Sequence, residues 1–468
     1  MDRKELKKGF FFVVLSKIAI VVLGIIQITI IPRLLNPTNM GFYSYWLSVL
    51  LIFSTIIDLG GPEILTRYIP ELRIKNQKSI GSLFIKNLQV KLFLIPVLIL
   101  TGLYLFRDEK AYFVIVFSAS IFLSLSSLIQ ATLYGYKNFA GYSLIQALRI
   151  FVRLIFVIIF FVILGSIGII YALFAAAILT TLLFFLHIKK MVHPYNGELS
   201  RPFKEYLSYG LYLYAGNSFA ILNMWLPVVL VKKFNSDLEV VGFLGLAIQI
   251  CLFAMIGVMT SLSESFFPTL IEFHTNDHKQ LKKFVELNWK YTNIILMPLV
   301  VGFYFLAEPM VRFFIGLEYL PAVDIIKLLL PAVIFITWGG ICQQILLIFE
   351  KKKEFFLIQL AGFVPFFTAS VILINIIGVL GAPVAIMLGA LISFLFSYFY
   401  ANKLLHIKSY LMHALKPFFA SILAAIVIGM IQINDIYILL LLIIFGGFVY
   451  LFVLVLIRGV TIKELKSL

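Results

Sequence analysis

The sequence predicts an all-α polytopic membrane protein: about 14 transmembrane helices, two parallel six-helix repeats forming two lobes around a central cavity, and two C-terminal helices. Composition, the punctuation of its apolar runs and internal self-similarity carry that expectation. Of 468 residues, 62% are hydrophobic and 13% charged, against about 45–50% and 25% in soluble domains, and mean hydropathy is +1.06. So few charges cannot coat the two or three soluble domains this length would otherwise make, and many apolar runs exceed the roughly 18 residues that mark a span. The formal charge of +16 is spread in small groups between apolar runs. That is a topology pattern, not the patch or arm of a nucleic-acid binder.

The first apolar run, Phe10 to Ile31, is too long for a signal-peptide core and lacks a small-residue cleavage site, so an uncleaved first helix near 10–32 is expected. Helices follow near 42–60, 88–106, 111–134, 142–164, 167–187, 209–231, 240–268, 289–313, 323–349, 355–377, 380–401, 417–433 and 436–457. The last pair reads either as two full spans or as one re-entrant hairpin. With the N-terminus in the cytoplasm, 30 of the 38 basic residues fall on inner segments, the stretch from Arg67 to Lys91 among them. The positive-inside bias then places both termini in the cytoplasm of a multi-pass inner-membrane protein.

A shift of 213 residues aligns Gln130 with Gln343, Leu144-Ile145-Gln146 with Leu357-Ile358-Gln359, Gly165 with Gly378 and Gly168 with Gly381. A shift of 201 pairs Gly41 with Gly242 and Glu63 with Glu264. Six helices is an even number, so both repeats enter from the same side and are related by an axis along the membrane normal. The expected organisation is an N-lobe over 1–190, a cytoplasmic linker over 191–208, a C-lobe over 209–402 and a C-terminal pair over 403–468.

Ionisable residues inside spans are costly and by default mark function. Lys17 lies in the first span, and Arg149 and Arg153 share one helix face at i,i+4. Snorkelling to the cytoplasmic headgroups is the alternative for Lys17 and Arg149, while Arg153 lies too deep for it. Their repeat counterparts are Ser218, Gly362 and Phe366, so the cations belong to the first half alone. Two guanidiniums and an ammonium suit phosphate oxygens; Lys17, Arg149, Arg153 and Arg67 are the candidate diphosphate ligands. Asp58-Leu59-Gly60-Gly61-Pro62-Glu63 combines two carboxylates with helix-loosening residues, and Asp58, Glu63 and Glu264 are candidates for ion coupling or gating; a helix ending in a loop is the plainer reading of that stretch. No catalytic motif is present, and no metal site is expected, since His274 and His278 sit in a Lys-rich loop without a third ligand. Cys251 and Cys342 read as buried hydrophobes.

The run Pro32-Arg33-Leu34-Leu35-Asn36-Pro37 through Gly41-Phe42-Tyr43-Ser44, then Asp58-Leu59-Gly60 and Arg67-Tyr68, resembles the first two helices of bacterial polysaccharide flippases of the Wzx type. Gly135-Tyr136-Lys137-Asn138-Phe139, an Arg-bearing helix and Gly165-Ser166-Ile167-Gly168 are similar to that family's fourth to sixth helices. The superfamily includes multidrug and toxic-compound extruders and lipid II flippases. The resemblance implies alternating access and transfer of a polyprenyl-diphosphate-linked oligosaccharide, such as an O-antigen or capsule repeat unit, to the outer leaflet. Ser16-Lys17 looks like the Ser-Arg of the lipid II flippases' first helix. The implied partners are that substrate, membrane lipids and glycan-assembly proteins such as a polymerase; no cofactor is implied beyond a coupling ion, H+ or Na+. The alternative on the same fold is a cation-coupled multidrug exporter, and an enzyme is not expected.

Overall fold

The computed structural model describes residues 20, 22–188, 198–199, 201–235, 237–259, 266, 270, 272–274, 278–406, 410–433 and 435–459, and every regular element among them is helical. The helices are α1 (Val22–Leu34), α2 (Pro37–Asp58), α3 (Gly61–Lys75), α4 (Ser79–Leu105), α5 (Lys110–Gly135), α6 (Phe139–Leu164), α7 (Ser166–Ile188), α8 (Phe203–Phe234) and α9 (Leu238–Ile248), which passes into a π-helical turn, Gln249–Met255. After them come α10 (His278–Met310), α11 (Ala322–Ile348), α12 (Lys352–Ile377), α13 (Gly381–Leu405), α14 (Tyr410–Gly429) and α15 (Ile436–Leu456). Eleven helical stretches are long and apolar enough to cross a membrane, one of them, Lys352–Leu405, carrying both α12 and α13; α1 and His413–Gly429 are shorter and apolar.

The chain forms two compact units, Met1–Gly242 and Phe243–Leu468. In the first, Asn36 caps α2 by accepting from the Asn39 N–H at 2.9 Å, with Pro37 at the first helical position. The helix stops at Asp58 because Leu59 (φ 42°) and Gly60 (φ 80°) both take the left-handed conformation, which for Leu59 costs about 1–2 kcal/mol. The chain restarts at once as α3, a helix that the span pattern passes over. Its mean hydropathy is too low for a span, yet Ile64, Leu65, Tyr68, Ile69 and Leu72 fall on one face and are buried with Leu83, Leu128 and Tyr206.

The fourth helix shows the pattern lipid imposes. Leu92, Phe93, Val97, Leu100 and Tyr104 are exposed while Asn87 and Lys91 are buried, because in hydrocarbon it is the polar groups that must turn inward. This corrects the expectation that Lys91 sits at an inner segment: it lies midway along α4 and is 2% exposed. At the other end of α4, Phe106 stacks on Phe113 with ring centroids 5.0 Å apart, beside Phe53 and Trp46.

Close backbone approaches fix α2 at both ends. A Cβ on Gly41 would overlap the Leu238 carbonyl, and one on Gly242 would overlap that of Pro37. A Cβ on Gly60 would lie 2.8 Å from the Gly210 carbonyl carbon on α8. Gly41→Val is therefore expected to destabilise the protein by about 1–3 kcal/mol, read as a lower unfolding midpoint in detergent. Gly24→Val, where nothing lies within 4 Å, should leave that midpoint nearly unchanged.

In the second unit α11 packs between α10 and α13, and α12 and α13 form a close hairpin. Its core gathers Trp289, Ile341, Cys342 and Ile345. The C-terminal helices pack on α10, with the Tyr450 hydroxyl donating to the Ile294 carbonyl at 2.7 Å. Both cysteines are free and buried. Positions 213 residues apart share backbone conformation: Gly165 (φ 64°, ψ −146°) matches Gly378 (φ 65°, ψ −145°), and Lys137 (φ 60°) matches Glu350 (φ 56°). Gly168 and Gly381 likewise lie close against the carbonyls of Phe160 and Leu373, themselves 213 apart.

Candidate functional site

The ionisable residues of the first unit's spans form two neighbouring polar groups. The first is built on α6. Arg149 Nη2 donates to Ser126 Oγ at 2.8 Å and to Gln130 Oε1 at 3.5 Å, both on α5. One turn further, Arg153 Nη2 donates to Gln27 Oε1 on α1 at 3.0 Å, and Gln27 Nε2 donates to the Tyr43 hydroxyl at 3.4 Å. The Nε of each arginine is enclosed with no hydrogen-bond partner. Among the described residues neither guanidinium has a carboxylate within ion-pair distance. Two half-buried cations thus rest on hydroxyl and amide oxygens, with donor capacity left over for an anion.

The second group is an ion pair that balances itself. Lys91 Nζ donates to Asp58 Oδ1, to the Ser124 carbonyl at 3.0 Å and to Ser124 Oγ. Ser124 and Ser127 also donate to Asp58 Oδ1, at 2.6 and 2.7 Å. This arrangement ties the end of α2 to α4 and α5. Nearby, Glu63 Oε1 accepts from Asn217 Nδ2 on α8 at 3.2 Å, while Glu63 Oε2 is enclosed and unpartnered. Arg67 stands exposed on α3, one turn beyond Glu63. Lys17 and Glu264 lie outside the described residues.

Span by span, the sequence identifies the two arginines and two carboxylates but misses what holds them. Lys91, Gln27, Ser124, Ser126, Ser127 and Gln130 are not singled out as partners because each is ordinary alone. The available signal is the cluster Ser124, Ser126, Ser127 and Gln130 within one span, since hydroxyls and amides in a membrane helix seek a polar partner. In the second unit the positions 213 residues after the arginines are closed off. Gly362 brings α12 against the Gly389 carbonyl and Ser393 of α13, and Phe366 is completely buried.

Sequence comparison assigns this architecture to a family, because the model described as "Polysaccharide biosynthesis protein" matches residues 6–274. The chain belongs to the polysaccharide biosynthesis protein family. No curated protein matches it in sequence. Among solved structures it is similar to the lipid II flippase MurJ in an inward closed conformation, with a TM-score of 0.76, 17% identity and coverage of 95% of this chain and 98% of that one. It also resembles the MATE multidrug transporter DinF-BH, at TM-score 0.64 and 16% identity over 86% of this chain and 96% of that one. An inward-facing multidrug resistance MATE family transporter of the MOP superfamily gives 0.63 and 13% identity, over 84% and 94%. At these identities the likeness establishes the fold alone, the multi-helix bundle of that flippase and those transporters.

Proposed function

We propose that this family member is a flippase that moves a polyprenyl-diphosphate-linked oligosaccharide from the cytoplasmic to the outer leaflet of the inner membrane by alternating access. The Arg149–Arg153 pair carries the reading. Two adjacent guanidiniums held by neutral oxygens leave positive charge that a diphosphate neutralises, each planar fork matching a pair of phosphate oxygens. A cationic drug at the same place meets like charge, which disfavours the multidrug alternative. Lys17 and Arg67 complete the anion-binding set, and Glu63 and Glu264 serve coupling or gating. The cytoplasmic termini, the N-lobe, linker, C-lobe and C-terminal pair are as the charge pattern and repeat suggest. Association with a polymerase and other glycan-assembly proteins accords with such a cargo.

Purified protein in liposomes is expected to flip a fluorescent prenyl-diphosphate oligosaccharide, scored by its accessibility to a membrane-impermeant quencher. Farnesyl diphosphate should compete, and the dephosphorylated lipid should not. Active export of a cationic dye with no movement of the diphosphate probe would establish the multidrug alternative instead.

A further inference from the structure

Resting on the flippase reading, we infer that Glu63 is the proton-binding site through which a pH gradient drives the transport cycle, and that Asp58 is a structural anchor. The two carboxylates lie five residues apart but have opposite surroundings. Asp58 is compensated: one of its oxygens accepts from the Lys91 ammonium and from two serine hydroxyls. A sodium ion arriving there would stand beside an ammonium. Glu63 has a single side-chain donor, Asn217 Nδ2, for one oxygen, and its other oxygen is enclosed with none.

The charged and titratable groups facing Glu63 do not compensate it. From α2 comes Asp58, a like charge; from α4 comes Lys91, whose ammonium is committed to Asp58 and Ser124; from α8 comes Tyr214, whose hydroxyl donates to the Ile56 carbonyl at 3.2 Å. On α3 itself Arg67 points to an exposed position. An enclosed carboxylate with one side-chain donor besides its own backbone N–H is costly as an anion and far less so with a proton on it. A metal cation is a poorer fit, since hard cations gather several oxygen ligands and no group of three His, Cys, Asp or Glu side chains able to hold one occurs among the described residues. Asn217 is exposed, so the carboxyl is within one side chain of water.

The site is also mechanically placed. Glu63 bridges α3 to α8 three residues after Gly60, where the backbones of the two helices touch, and immediately after the left-handed Leu59–Gly60 joint. Proton binding converts the carboxylate to a neutral acid and lets α3 and α8 stay closed; proton release places a charge in that seam and favours opening.

The test uses full-length protein in liposomes with the fluorescent prenyl-diphosphate oligosaccharide, with no gradient, with a pH gradient or with a sodium gradient. We expect the pH gradient to accelerate wild-type flipping about fivefold or more, the sodium gradient to have no effect, Glu63→Gln to abolish the pH response and Glu63→Asp to restore part of it. Infrared titration in detergent supplies a readout free of cargo: the absorbance of protonated carboxyl groups should fall by one group in Glu63→Gln, and Glu63→Asp should shift that band. A response to sodium instead of pH, a wild-type pH response in Glu63→Gln, or an unchanged carboxyl band would overturn the assignment. Wild-type flipping that ignores pH sinks this inference alone, whereas no flipping under any gradient sinks the flippase reading beneath it.

Discussion

Arg153→Ala should abolish most flipping while leaving the protein as stable as wild type, or more so. Hydrogen bonds to a charged group contribute about 1.5–3 kcal/mol each, so losing one such contact to a diphosphate lowers transport about 10-fold to 150-fold. Stability is held because the partners are neutral: with Arg153 gone, Gln27 Oε1 loses a donor, but Gln27 keeps its bond to Tyr43 and no opposite charge is left behind. Removing an unpaired cation from a membrane interior relieves a desolvation penalty. The double variant Arg149→Ala/Arg153→Ala should be inactive with an undiminished melting midpoint. Arg153→Lys, which keeps the charge and loses the planar fork, should fall between. Quencher-based flipping and thermal unfolding in detergent, measured on the same preparations, decide the matter. A well-folded Arg153→Ala protein that flips at the wild-type rate would remove the anion-binding assignment.

Lys91→Met should behave in the opposite manner and damage the fold first. Its ammonium meets a carboxylate, a hydroxyl and a carbonyl while almost wholly enclosed. Removing one member of such a pair strands the other charge, at about 3–5 kcal/mol. The expected result is a large fall in the unfolding midpoint and poor recovery from detergent. Because the penalty belongs to the stranded Asp58, Lys91→Met/Asp58→Leu should regain much of the lost stability, since a buried pair replaced by apolar residues is often no less stable. Additive losses in the double variant would show that the ion pair is not a unit.

The helices are legible in the sequence because hydrocarbon enforces long apolar runs and separates them with charge. The third helix is not, since it forms around a buried stripe, Ile64 to Leu72, without the overall hydropathy that announces a span. Arg149 and Arg153 can be placed on one face from their spacing alone. What they touch cannot be, because Gln27 lies 126 residues from Arg153, and a contact of that separation is decided by packing. Lys91 is hidden by its neighbours: Lys78 and Lys86 before it read as the charged margin of a span, whereas in the folded chain Lys91 lies midway along α4 and is buried. The carboxylates differ in the same way, since only the folded chain shows that Asp58 has three donors on one oxygen and Glu63 one.

The matched turns at Gly165 and Gly378 separate frame from chemistry. Each closes a hairpin of the same backbone path, yet one hairpin carries Arg149 and Arg153 and the other Gly362 and Phe366 at the corresponding places. The turn conformation therefore does not depend on which side chains the preceding helix carries. Two positions distinguish a helix that carries two partly enclosed guanidiniums from one that Gly362 closes against α13 and Phe366 fills. On the flippase reading, cargo preference can therefore be altered by substitution at these two positions without redesigning how the chain folds.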